Sequence, residues 1–333
     1  MIKIGQIGIG HNHGAKKMES VRKFPHLFEV VGVAPESEEW RAKRGDLPSY
    51  EGVPVLSRAE LLEKCDAVMV ETEVPLLTQT AQACIDAGKH VHLDKPACGT
   101  LEEYGHLLDA AKAKGLAVQL AYMYRYNPAV QKCLKWKAEG RFGDITMVKA
   151  EMSTFHDKEY KEWMSQFRGG MMYILGSHML DLVMLFLGEP DRVTSFFSHS
   201  GLDGLEYPDN TLAVLEYPRA LGRVFASAVE RNGYGNRQLV VSGSKGKAHI
   251  MPMERSTRLY WSDEVLAPDT YACRRMQIPV ADPAWDGRYD AMMLDFHDIV
   301  IGKKENPFTY EHEYALQKAL LEICRADQRA LFS

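Results

Sequence analysis

The chain has 333 residues, enough for two domains with cores of their own, and its composition is that of a soluble globular protein. Its formal net charge is −5 with no basic block, which speaks against nucleic acid as a partner. No apolar run approaches the length of a membrane span, and the six cysteines are scattered without a C-x-x-C pair, so they read as reduced thiols.

The chain opens after Met1 on a strand, "IKIGQIGIG", where no signal peptide fits, so the cytoplasm is the expected compartment. A helix is predicted over 15–24, a strand over 28–34, a short helix over 57–64 and a strand over 66–72. Then come a helix over 76–88, a strand over 90–94, a helix over 100–115 with a glycine C-cap, and a strand over 116–123. These strands are near-continuously apolar, as in a parallel sheet covered on both faces, so residues 1–123 read as a doubly wound α/β domain.

The texture changes after "YRYNP". A helix over 127–140 leads into alternating segments at 144–155, 192–199, 210–218, 221–230, 237–243 and 247–252. Period-two alternation predicts a large, mostly antiparallel open sheet with one face packed and the other available. A helix at about 174–187 interrupts it, and helices over 285–301 and 309–328 close the chain, making 124–333 a second, α+β domain.

"GIGHNHG", residues 8–14, follows the first strand and precedes a helix. Gly8 and Gly10 stand where a dinucleotide fold needs a tight turn and a close backbone approach to pyrophosphate, while His13 takes the third glycine position. Ile9, His11, Asn12 and His13 complete this turn, and the following helix start offers amides to phosphates. At the end of the second strand Pro35 takes the usual acid position. Glu36 follows and would accept from ribose hydroxyls, favouring NAD, whereas nearby Arg41 and Arg44 would suit the 2′-phosphate of NADP.

"HVHLDKPACG", residues 90–99, puts Lys95 between Asp94 and Pro96 at the carboxyl end of an apolar strand, where α/β sheets meet their ligands. The pairs His11/His13 and His90/His92 are the only metal-like spacings, and without a third ligand in view no metal is expected. In "RGGMMYILGSHMLDLVMLFLGEP", residues 168–190, His178 and Asp181 share a helix face beside an apolar stripe. They read equally well as a buried pair and as proton-transfer groups.

Together these stretches resemble the Gfo/Idh/MocA oxidoreductases over nearly the whole length. "AGKHVHLDKPACGTLEEYGHLLDAAKAKG" is similar to the family's AGKHV…EKP and its helix, "YRYNP" to R-F/Y-x-P, "GG…LGSHMLDLVMLFLG" to G-G-x-x-x-D-x-G-x-H-x-x-D, and "SGSKGKAHI" to a late G-S/T-x-G hairpin. The resemblance implies a Rossmann domain and NAD(P)-dependent hydride transfer at a hydroxyl carbon of a sugar, inositol or related polyol or glycoside. It implies Lys95 and His178 as catalytic residues, Lys95 bonding the substrate oxygen. Tyr124, Asn127, His156, Trp163, Tyr173 and Asp181 are expected at the substrate, and Thr72, Glu73, Asp94, Lys95 and Arg125 join the glycine turn and Glu36 at the cofactor.

Two departures stand out. The family's aspartate four residues before the histidine falls on Ile174, and its A-T-P-x-x-x-H stretch reads Glu71, Thr72, Glu73 and Leu77, keeping only the threonine. Two other outcomes are therefore open: a glycoside lyase or hydrolase that oxidises transiently with bound NAD, and a non-catalytic regulatory member that binds NAD and sugar. No membrane partner is expected, and family members pair through the open sheet face, which implies a homodimer or homotetramer.

Overall fold

A computed structural model of the chain describes residues 1–281 and 287–329. The chain divides into two units, Met1–Met123 with Asp286–Gln317, and Tyr124–Trp285 with Lys318–Ser333. The second domain expected over 124–333 thus lacks the stretch that returns to the first unit.

The first unit carries strands β1 (Ile2–Ile7), β2 (Phe28–Ala34), β3 (Ala67–Val70), β4 (His90–Leu93) and β5 (Val118–Leu120). They pair in parallel in the order β2-β1-β3-β4-β5. Helices α1 (Gly14–Arg22), α2 (Glu38–Arg44), α3 (Arg58–Lys64), α4 (Leu77–Asp86) and α5 (Leu101–Ala113) link them. Serine and threonine start two of these helices: Ser57 before α3 and Thr100 before α5 each form a full capping box, with Glu60 and Glu103. All four residues of β3 are buried, so its unbroken apolar run is what a doubly covered sheet requires. Ile4, Met18, Val21, Phe28 and Met69 pack with Met293 and Phe296 in one core, and burying a side chain such as Phe296 stabilises by about 2 kcal/mol. The strand order reverses between β1 and β3, so the crevice for a ligand lies over their carboxyl ends.

The second unit begins with α6 (Pro128–Ala138), β6 (Ile145–Ser153), α7 (Lys158–Ser165), a π-helical turn over Met172–Gly176 and α8 (Ser177–Leu187). Then come β7 (Arg192–Ser198), β8 (Asn210–Glu216), β9 (Leu221–Ser227), α9 (Gly233–Asn236), β10 (Gln238–Gly243), β11 (Gly246–Ile250), β12 (Leu259–Asp263) and β13 (Met276–Ile278). Eight strands form one sheet in the order β13-β12-β11-β10-β6-β9-β8-β7, antiparallel except where β6 meets β9. Helix α8 packs on β6 and β9. The other face stays half-exposed and carries Met147, Lys149 and Glu151 of β6, Arg223 and Phe225 of β9, and Phe196 of β7.

Helices α10 (Asp290–Val300) and α11 (Tyr310–Cys324) end the chain. The helix expected over 285–301 starts at Asp290, and residues 285 and 286 of that expectation lie outside the described residues. Helices α2, α7 and α9 and strands β12 and β13 are additions to the sequence reading. Helix α2 buries no residue, so it has no apolar stripe to betray it. Its signals are the Ser37 cap, which accepts from the Trp40 N–H, and two acids in the first turn.

Candidate active site

Strand β1 must turn over β3 to enter α1, and its glycines make this possible. Gly8 takes φ +89°, and a Cβ there would collide with the Thr72 backbone nitrogen. Gly10 has an ordinary φ, but a Cβ there would strike the Glu36 carboxylate, which accepts from the Ile9 N–H at 2.7 Å and the Gly10 N–H at 2.8 Å. Glu36 is thereby held at the turn despite Pro35. Arg44 donates to the Ile9 carbonyl at 3.3 Å and lies 4.9 Å from the Trp40 ring centre, and Arg41 pairs with Glu38 at 3.5 Å on the exposed side of α2.

Thr72 Oγ1 is buried without a hydrogen-bond partner beside Gly8, an orphaned polar atom at the strand-order switch. Asn12 and Glu73 are exposed, and Ile9 and His11 are buried. Helix α1 starts without a side-chain cap and without an acid in its first turn, which leaves its amides for an anion. A turn that tolerates no Cβ, an uncapped helix start, an orphaned hydroxyl and a carboxylate at the ribose end fit a dinucleotide.

Lys95 is buried at the end of β4, and its pKa falls to about 8. Burial disfavours the ammonium, Asp94 partly offsets this, and Lys17 and Arg288 repel it further. Asp94, expected at the cofactor, is a fully buried hub. Its Oδ1 accepts from the Lys95 backbone N–H at 2.6 Å and its Oδ2 from Lys17 Nζ at 2.5 Å, with His13 Nδ1 at 3.2 Å and His11 Nδ1 at 3.3 Å. Burial alone would raise the pKa of Asp94, but His11, Lys17 and His13 outweigh it and hold the carboxyl well below its usual range.

Lys17 donates a second bond, to Glu71 Oε1 at 2.6 Å. Burial pushes Glu71 well above the usual carboxyl range, since Lys17 only partly offsets the desolvation and Asp94 adds repulsion. Lys17 itself is raised: Asp94 and Glu71 together outweigh its own burial. Sequence reasoning missed Lys17. The available signal was a pair of acids, Glu71 and Asp94, ending adjacent parallel strands, which need a cation between them once buried.

His11, His13 and Asp94 are the group of three metal-type donors found among the described residues, with ligand atoms within 4.8 Å of one another. Asp94 is the third member that spacing alone did not reveal. Its Oδ2 already holds the Lys17 ammonium, and the Lys95 ammonium feels the same carboxylate, so its charge is spent on the chain's own cations. The cluster therefore reads as an internal ionic network. The other histidine pair separates, as His90 Nδ1 accepts from the Ala117 N–H and His92 Nδ1 bonds Gln119 Oε1.

In the second unit His178 is buried on α8, its ring edge-to-face with Tyr124 at 5.1 Å between ring centres. The Tyr124 hydroxyl donates to Glu254 at 2.9 Å, and Arg237 donates to both at 3.0 Å and to Thr154 at 2.6 Å. His156 stacks on Tyr160 at 4.4 Å, Tyr160 sits 5.3 Å from Trp163, and His156 Nε2 is buried without a hydrogen-bond partner. Tyr124, His178, His156 and Trp163 thus belong to one polar and aromatic region joined through Arg237.

Four of the expected site residues in this unit are engaged by other side chains or by the backbone. Arg125 and Asp181, assigned to cofactor and substrate, bind each other: Arg125 Nε reaches both carboxylate oxygens at 3.1 and 3.0 Å and Nη2 reaches Oδ1 at 2.7 Å, with both side chains buried. Asn127 caps α6 through the Ala129 and Val130 N–H groups and donates to the Met253 carbonyl, so its side chain is consumed by the fold. Tyr173 is wholly buried and stacked on Phe167. Ile174 lies in the π-helical turn before α8, apolar and buried as its side chain dictates.

Turn, switch point and strand-end lysine define the first unit as a dinucleotide-binding domain. The chain belongs to the GFO/IDH/MocA family: residues 2–122 match its oxidoreductase NAD-binding Rossmann fold, and residues 130–249 match the GFO/IDH/MocA C-terminal domain. Over 152 residues it is 30% identical to a scyllo-inositol 2-dehydrogenase (NADP(+)) of Bacillus subtilis, covering 45% of this chain and 42% of that one. It is 26% identical to a trans-1,2-dihydrobenzene-1,2-diol dehydrogenase of Bos taurus over 218 residues, covering 63% and 61%. The chain thus spans less than two thirds of these two relatives. In fold it is similar to a UDP-N-acetylglucosamine 3-dehydrogenase of Acidithiobacillus ferrooxidans, with a TM-score of 0.77, 20% identity and coverage of 98% and 97%. No helix among the described residues is long and apolar enough to cross a membrane.

Proposed function

We propose that the protein is an NAD(P)-dependent oxidoreductase acting on a hydroxyl carbon of a sugar, inositol or related polyol, with Lys95 as its acid–base residue. The observation that carries this reading is Lys95 itself, a buried amine with a pKa lowered to about 8 at the strand end beside the glycine turn. A bound nicotinamide supplies the hydride acceptor or donor. The chain's own part is to hold the hydroxyl oxygen against Lys95 Nζ. Neutral Lys95 takes the hydroxyl proton as the carbonyl forms, and in the reverse direction its ammonium returns that proton to the oxygen. His178 is the further catalytic residue proposed, and His156, Trp163 and Tyr124 are the substrate contacts proposed from the second unit.

Gly8, Gly10, Thr72 and the start of α1 would hold the pyrophosphate side of the cofactor, and Glu36 its ribose. The fixed carboxylate of Glu36 favours NAD, although the Bacillus subtilis relative is named for NADP. Native mass spectrometry followed by a panel of polyols tests the reading. We expect bound NAD in preference to NADP and accumulation of free NADH with at least one polyol. Protein that binds neither dinucleotide refutes it. Ile174 favours one second reading, transient oxidation within a glycoside lyase or hydrolase, whose mark is product without free NADH. We also propose a second copy of the chain as partner, seated on the half-exposed sheet face.

A further inference from the structure

Inside the first unit one carboxylate serves two lysines. Asp94 Oδ1 accepts from the Lys95 backbone N–H, and Asp94 Oδ2 holds the Lys17 ammonium at 2.5 Å. Both lysines are buried, so neither charge is relieved by water. Lys17 lies on α1, has no part in the turn itself, and reaches the strand ends only with its terminal nitrogen, where Glu71 takes a second bond. The charged and titratable groups that act on Lys95 include Asp94 of its own strand end, Lys17 of α1, His11 and His13 of the glycine turn, and Arg288 of the segment before α10. Lys17 and Lys95 therefore share one carboxylate.

We propose that Lys17 is a positioning residue that acts through Asp94 on Lys95: it engages the carboxylate with its own ammonium, so the carboxylate fixes the Lys95 backbone while lending the Lys95 side chain only part of its charge. A lysine given Asp94 to itself would titrate higher and offer less neutral amine to accept a proton. Lys17 prevents this from outside the reacting centre. The inference rests on the reading of Lys95 as the acid–base residue, but the coupling between the two lysines is measurable without any substrate.

The test follows the Lys95 side chain by NMR in protein labelled with carbon-13 at the lysine ε carbons, its signal assigned by its loss in Lys95→Met. Lys17→Met should move the Lys95 titration midpoint upward by about one pH unit. Asp94→Asn, in which Lys17 passes to Glu71, should move it downward. Glu71→Gln mimics the neutral acid and should leave it in place. A folded Lys17→Met with an unmoved or lowered midpoint overturns the proposal. If that variant does not fold, an unmoved midpoint in Asp94→Asn overturns it alone. A merely structural Lys17 would change melting temperature without opposite shifts in the two variants. Lys95→Met turnover is scored separately: wild-type rates there would overturn the catalytic reading while the NMR shifts still decide the coupling.

Discussion

Each unit buries an ionic cluster, and the two are built on opposite principles. In the second, Arg125 and Asp181 meet in a two-pronged pair of buried side chains. In the first, Asp94 is divided among Lys17, the Lys95 backbone and two histidines, so no cation there owns its counter-charge. A matched pair fixes geometry, since removing one partner strands the other charge. Burial, only partly offset by the divided carboxylate, leaves a lysine titrating at about 8, within reach of function. The contrast teaches that burial of charge alone does not single out a working site, and it makes Lys95 the residue to test. Its strongest test is Lys95→Met, expected to lower turnover on a responsive polyol by about 100- to 10,000-fold while leaving NAD binding nearly unchanged, as read by steady-state kinetics and calorimetry.

The matched pair should break in a different currency. Asp181→Leu strands a buried guanidinium and should cost about 3–5 kcal/mol in urea unfolding, and adding Arg125→Met should recover most of it, since a buried pair is often replaceable by apolar residues of similar size. NAD affinity serves as the sharper readout. If Arg125 touches the cofactor, the double variant loses affinity. If the pair is scaffold alone, affinity stays.

A third, smaller effect concerns the turn. Gly10→Val would push its side chain into the Glu36 carboxylate, Glu73 and Trp40. We expect NAD affinity by calorimetry to fall at least about tenfold, with the fold retained by circular dichroism. Unchanged affinity would remove the glycine turn from the cofactor site.

Much of this was legible in the sequence where one physical signal dominates. Strand β2 stands over the residues its apolar run predicts, and α5 stops where Gly115 adopts φ +64°. Local capping and periodicity suffice for such elements. Lys17 was illegible for the opposite reason. Its partners lie 54 and 77 residues away, and on α1 a lysine reads as a solvated cation until β3 and β4 are set side by side. Arg125 and Asp181 show the same limit from the other direction, since motif position pointed each toward a ligand and only the fold reveals that they satisfy each other. Strands β12 and β13 lie among turn-rich residues, and β13 has only three residues, too few for alternation to register.

The smallest expected effect separates the units by acid. His92 in the first unit is buried and its pKa falls to about 3, burial being the main cause and Lys17 adding repulsion against the offset from Gln119 and Asp94. His156 in the second unit falls to about 4, through burial first and Arg237 next. Both folded values lie below the unfolded value of about 6.5. The unfolded chain therefore takes up a proton that the native state refuses, and stability falls as pH drops below 6.5. The loss levels off near pH 4 for His156 and near pH 3 for His92. Each contributes a slope of up to about 1.4 kcal/mol per pH unit within its window. Asp94 does not confuse this range: its folded pKa is depressed, so its stabilisation persists above the unfolded carboxyl value and is lost only as pH falls below that. Urea midpoints between pH 4 and 6.5 should thus decline less steeply in His156→Gln than in the wild type, and His92→Gln should flatten the curve further, down to about 3. If His156→Gln keeps the wild-type slope, His156 is not held neutral in the folded protein, and its proposed place at the substrate loses the unpaired Nε2 on which it stands.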